Sequence, residues 1–175
     1  MKKIYIFLLF IFTLTTANAK IITGEVSYTL NSARNEVMSQ TPKPVSSEVL
    51  RANIYDTNNR ENKTTLLQGK TEVKDRILAY FSDGSYGVMH KNNPTYVFYY
   101  NDGGILTHTE VKDSLKYPYK TYKYNTTGKL INMTLRVSEN ETFIFKPTGE
   151  LIAHWINDKC YDENNNIIMT RNILK

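Results

Sequence analysis

The 175 residues carry a formal net charge of +5 from 22 basic and 17 acidic side chains, and these are interleaved, as in Lys70, Glu72, Lys74, Asp75 and Arg76. That mixture excludes the clustered basic face of a nucleic-acid binder, and a single cysteine, Cys160, excludes an internal disulfide, so the core must supply the stability unaided. The length fits one domain with a real core.

Residues 1–19 have the three parts of a secretory signal peptide: Lys2 and Lys3, an apolar stretch from Ile4 to Leu14, and the small-x-small site Ala17-Asn18-Ala19. The apolar stretch is about half of the ~20 residues a membrane span needs. The expectation is a cleaved leader and a mature chain, 20–175, that is one β-repeat domain without an integral membrane span, periplasmic or extracellular.

Along the mature chain, Val26, Tyr28 and Leu30 alternate with polar neighbours and predict a strand. Residues 31–47 are polar, with Pro42 and Pro44, and read as a long loop. Val49 to Tyr55 reads as a strand or one helical turn. Strands are then predicted at Val73 to Phe81, Tyr96 to Tyr100, Ile105 to Val111, Tyr119 to Tyr124, Lys129 to Val137, Thr142 to Phe145 and Leu151 to Ile156. Cys160 also falls in a strand and is expected to be buried. No segment after the leader shows a convincing helical period, and thirteen tyrosines favour sheet. The fold class is therefore all-β, an antiparallel meander of repeated hairpins forming an extended or curved sheet.

A phrase recurs through these strands, clearest over 80–173: an aromatic residue, three polar or turn-forming residues, glycine, a spacer, and an apolar residue. It reads Tyr100-Asn101-Asp102-Gly103-Gly104-Ile105-Leu106, Tyr124-Asn125-Thr126-Thr127-Gly128-Lys129-Leu130 and Phe145-Lys146-Pro147-Thr148-Gly149-Glu150-Leu151. Looser copies start at Tyr80 and Tyr161, the latter with Asn165 in the glycine place, and Tyr55-Asp56-Thr57-Asn58-Asn59 reads as a decayed one. The glycine place calls for a positive φ, which asparagine also tolerates. Asn125 and Asp102 are expected to bond back to the backbone of their turns. The aromatic and the aliphatic residue should close the hairpin as a cross-strand pair.

Phe98-Tyr99-Tyr100-Asn101-Asp102-Gly103-Gly104-Ile105-Leu106 resembles the core of the bacterial MORN-variant repeat, and the series resembles the tyrosine–aspartate repeats of RHS-type surface proteins. The Tyr-Asp pair itself occurs only at Tyr55-Asp56 and Tyr161-Asp162, and the Gly-Arg that often follows it in the RHS type is absent. The resemblance implies an extended β-sheet exposed outside the cytoplasm and carries over no catalytic residues.

Chemistry-bearing motifs are sparse. His90, His108 and His154 lack metal-ligand spacing, and Asp162 to Asn166 fails the calcium-loop pattern at Ile167 and Ile173. His154 precedes Cys160 by about 20 Å of extended chain. No catalytic residue, metal or cofactor is expected. The candidate binding residues are Tyr96, Phe98, Tyr100, Tyr122 and Tyr124, a tyrosine-rich platform for sugars or peptide segments, if their face is displayed. The expected partner is a protein or an envelope polymer, and no nucleic acid. The expected function is an exported, non-enzymatic interaction or structural module at the cell envelope, the alternative a periplasmic carrier of a hydrophobic ligand on a curved sheet.

Overall fold

A computed structural model describes residues 28–56 and 69–170. The expected leader, the strand residues before Tyr28 and the end of the Tyr55 copy lie outside the described residues. Two short helices, α1 (Leu30–Met38) and α2 (Ser47–Ala52), precede eleven strands. These are β1 (Gly69–Val73), β2 (Arg76–Tyr80), β3 (Tyr86–His90), β4 (Asn93–Tyr100), β5 (Leu106–Lys112), β6 (Tyr119–Asn125), β7 (Leu130–Arg136), β8 (Glu141–Phe145), β9 (Leu151–Ile156), β10 (Lys159–Tyr161) and β11 (Ile167–Thr170). They form one open sheet in strict chain order, every neighbouring pair antiparallel. The all-β meander is therefore the observed fold.

The recurring phrase has one conformation in the five copies that lie wholly within the described residues. In the three clear copies the amide of the residue after the aromatic donates to the carbonyl four residues on, as Asn101 to Ile105, Asn125 to Lys129 and Lys146 to Glu150 do. Phe81 to Ser85 and Asp162 to Asn166 repeat it in the looser copies. The left-handed place is filled by Gly84, Gly104, Gly128, Gly149 and Asn165, at φ of 80°, 75°, 81°, 85° and 62°. Side chains brace the turns. Asn125 Oδ1 accepts from the amides of Thr127 and Lys129, and Asp162 Oδ1 from those of Asn164 and Asn166. In the first clear copy Asn101, rather than Asp102, makes this bond, accepting from the Ile105 amide.

The aromatic and aliphatic members then face each other across the hairpin: Tyr100 with Leu106, Tyr124 with Leu130, Phe145 with Leu151, Tyr161 with Ile167. A register shift follows each of these pairs. It places Ile131 and Ile152 as extra residues, half-exposed at 42% and 43%, so Ile131 does not share the buried face of Met133 and Leu135.

Residues 28–47 and 73–81 differ from expectation. The predicted strand at Tyr28 to Leu30 and the predicted loop over 31–47 contain α1. Thr29 caps it: its side chain accepts from the Ser32 amide at 3.1 Å and its own amide donates to Ser32 Oγ at 2.8 Å. Leu30, Ala33 and Val37 then fall on one helical stripe, with Ala33 and Val37 fully buried against the sheet. Over 49–55 the helical alternative holds, as α2, whose cap Ser46 accepts from the Val49 amide. The predicted strand Val73 to Phe81 is the second half of a hairpin turning at Lys74, φ 54°.

The helices and their connection cover one face of the sheet. Arg34 Nε donates to the Gly149 carbonyl at 2.9 Å, and Glu36 holds the buried Lys120 ammonium at 2.7 Å. The Tyr124 hydroxyl donates to the Lys43 carbonyl. Beyond α2 the chain pairs with the β4–β5 turn, Asp56 N donating to Gly104 O and Leu106 N to Ile54 O. Beneath this cover lies the core, including Leu78, Tyr86, Leu135, Phe143 and Phe145, each almost wholly buried.

Candidate functional site

The turns set which way each strand faces. Tyr100, Tyr124 and Phe145 point to the covered side, so residues two places away do too, and the intervening residues point to the opposite face. The five residues put forward as a platform are on the covered side. Phe98, Tyr100, Tyr122 and Tyr124 are 3–4% exposed core residues, and Tyr96 is partly buried against them. The tyrosines of the uncovered face are the odd-parity ones, Tyr99 and Tyr119, joined by Tyr117 from the loop before β6.

That uncovered face is concave. In a flat sheet β1 and β7 would stand about 29 Å apart, six steps of about 4.8 Å. Yet Lys70 of β1 and Arg136 of β7 line one cavity of about 410 Å³, with Ile77, Met89 and Val97 as its floor and Lys112, Tyr117 and Tyr119 along one side. The accumulated twist of the strands curls the sheet around this cleft. A second compartment, of about 520 Å³, adjoins it on the other side of Tyr99 and is lined by Phe81, Asp83, His108, Glu110 and Lys123 among others.

Tyr99 is the partition. Its hydroxyl donates to Glu110 Oε2 at 3.1 Å, and its ring stacks on His108, centroids 4.3 Å apart and planes within 12°. Burial pushes the Glu110 carboxyl above its usual range, against the opposing pull of the Tyr99 hydroxyl and nearby cations. Burial and the Glu110 charge hold the Tyr99 hydroxyl protonated well beyond neutral pH. In the basic compartment Lys112 Nζ sits 5.5 Å from the centre of the Tyr119 ring, which Tyr117 flanks at 5.3 Å. Burial lowers the Lys112 pKa; Glu110 opposes this, and the like charges of Lys70 and Arg136 add to it.

His108 offers a direct check. Burial first, and Lys123 second, push its imidazole down to about 4 from 6.5. Its pKa is thus lower folded than unfolded, so the unfolded chain binds the extra proton between those values. The stability that depends on a neutral His108 is complete above pH 6.5 and is lost as pH falls toward 4. Glu110, with its raised pKa, works in the opposite sense as pH rises above the usual carboxylate range. Urea midpoints measured across this window are expected to fall with acidification, and His108→Gln to flatten the fall; an unchanged slope in the variant would show that the imidazole is not held neutral.

The remaining chemistry-bearing residues stand apart from the cleft. Cys160 is buried and registers with Trp155, whereas His154 registers with Tyr161, so thiol and imidazole leave the sheet on opposite faces. His154 stacks on Phe143 at 3.8 Å and lies 3.0 Å from Glu141 Oε1. Among the described residues no cluster of His, Cys, Asp and Glu could hold a metal ion, and no helix is long and apolar enough to cross a membrane.

Parity alone would have separated the tyrosines into two sets, because Tyr100 in the turn phrase and Tyr99 beside it must face opposite ways; which set is uncovered is decided by the docking of residues 28–56. Nothing local marks Lys70, Lys112 and Arg136, which come together only through the curl. No family model matches this chain, and neither a curated protein nor a solved structure does.

Proposed function

We propose that the protein is an exported, non-enzymatic binding module of the cell envelope that engages its partner, a protein or an envelope polymer, with the concave face of the sheet. The single observation carrying this reading is the cleft running from β1 to β7, which sets tyrosines and cations over an apolar floor. A rigid sheet holds these groups in place, so little order is lost on binding. The apolar floor of Ile77, Met89 and Val97 favours one second reading, a carrier of a hydrophobic ligand. Export and the repeat character rest on the leader and on the resemblance to MORN-variant and RHS-type repeats.

The test is retention of a defined envelope component on immobilised protein. Tyr99→Ala and Val97→Trp, the latter filling the floor, are each expected to weaken retention by at least about tenfold. Lys146→Met, in the β8–β9 turn, should leave it unchanged. Equal retention by all three variants would place the contact elsewhere and sink the reading.

A further inference from the structure

We infer that the basic compartment of the concave face takes a small amphiphile, with its carboxylate or phosphate head between Lys70 on one wall and Lys112 and Arg136 on the other, and its apolar tail on Ile77, Met89 and Val97. This rests on the concave-face reading in its second form, the carrier of a hydrophobic ligand, and adds to it the chemistry of that ligand.

Charge is the first argument. Elsewhere the least exposed cations have carboxylate partners: Lys120 lies 2.7 Å from Glu36 and 3.6 Å from Asp113, and Arg76 lies 3.8 Å from Asp56. Among the described residues Lys70, Lys112 and Arg136 have no such ion pair, although they crowd one cleft closely enough for their charges to act on Lys112. The acid lining the same compartment, Glu139, is exposed and bridges to none of them. Glu110, across Tyr99, acts on Lys112 and Arg136 without an ion pair to either. Three cations against Glu110 and the exposed Glu139 leave the compartment net positive, which attracts an anion.

Hydrogen bonding is the second argument. Arg136 Nε is buried and has no acceptor. The same guanidinium donates a hydrogen bond to the Tyr119 hydroxyl and lines the cleft, and a carboxylate or phosphate oxygen matches a guanidinium edge.

The floor is the third. Ile77, Met89 and Val97 offer branched aliphatic and thioether surface with no hydroxyl or amide among them, which suits an alkyl tail better than a sugar ring. About 410 Å³ is also the scale of a small-molecule site.

The experiment is calorimetric titration of the whole chain with decanoate, decyl phosphate, decanol and acetate. Decanoate and decyl phosphate are expected to bind at least about tenfold more tightly than decanol or acetate, and less tightly as salt is raised. Lys112→Met and Arg136→Met should each weaken decanoate by about tenfold. Lys112→Arg should retain binding, and Lys146→Met should match the unaltered protein. Urea midpoints of the variants report whether each remains folded. Decanol binding as tightly as decanoate, or full decanoate affinity in both methionine variants, overturns recognition of the anion. The concave-face reading survives that result if Val97→Trp abolishes binding, and falls with it if Val97→Trp binds normally. Absence of binding by all four probes overturns the amphiphile alone, because the envelope-retention assay judges the concave face separately.

Discussion

Phe143→Ala is expected to lower the free energy of unfolding by about 3–5 kcal/mol. Phe143 is fully buried in β8, opposite Leu135 of β7 and His154 of β9. Its ring is parallel to that of Phe145 within 6°, centroids 6.3 Å apart, and it carries the His154 ring on its face. Alanine would remove the apolar surface and leave a void that neither β7 nor β9 can close, since both are hydrogen-bonded in register on either side. Two variants make the expectation specific. Phe143→Leu keeps most of the volume and should cost about 1–2 kcal/mol. Ile144→Ala, on the uncovered and half-buried side of the same strand, should cost less than Phe143→Ala. Urea unfolding with an unchanged m-value measures all three. A loss in Phe143→Ala no greater than in Ile144→Ala would mean that the covered face is not the core.

Gly128→Val is the second large effect, expected at about 2–5 kcal/mol from left-handed strain together with overpacking. Gly128 holds φ at 81°, where a β-branched residue is a steric outlier. A Cβ there would lie 3.3 Å from Leu50 Cδ1 and 3.4 Å from the Val45 carbonyl oxygen. The leucine side chain can shift, but the carbonyl belongs to the backbone leading into α2, so the turn and the N-terminal cover would have to separate. Gly69→Ala is the matched control. A Cβ at Gly69 meets nothing within 4 Å and its φ is not positive. That substitution should therefore be neutral, or stabilising by about 0.5 kcal/mol. Similar thermal midpoints for the two variants would show that the β6–β7 turn does not bear on the 45–50 segment.

The hairpins closed by the recurring phrase were legible because each of their turns is decided within seven consecutive residues. The left-handed place, the side-chain brace of Asn125 or Asp162, and the aromatic–aliphatic pair all lie inside one copy of the phrase. Asn165 takes the left-handed conformation for the same local reason as the glycines. The helix α1 was hidden, since its stripe has few apolar members and the alternation of Val26, Tyr28 and Leu30 competes with it. The Thr29–Ser32 capping box was a visible signal, but the short helix gains its stability from burying Ala33 and Val37 on β7 and β8, about a hundred residues later in the chain.

The candidate site divides along the same line. The turn phrase and the facing of the strand residues that lead into each of its turns follow from local sequence, because turn geometry fixes register and register fixes facing. Which of the two faces is covered depended on where residues 28–56 dock. They settle over Tyr100, Tyr122 and Tyr124, turning a would-be platform into core and leaving Tyr99, Lys112, Tyr119 and Arg136 uncovered. The meeting of Lys70 with Lys112 and Arg136 required the curl of the whole sheet. Each strand contributes only a small twist, so no single segment of sequence contains that curvature. Local chemistry determined the hairpins; the sum of their twists and the docking of the N-terminal segment made one face a core and the other a cleft.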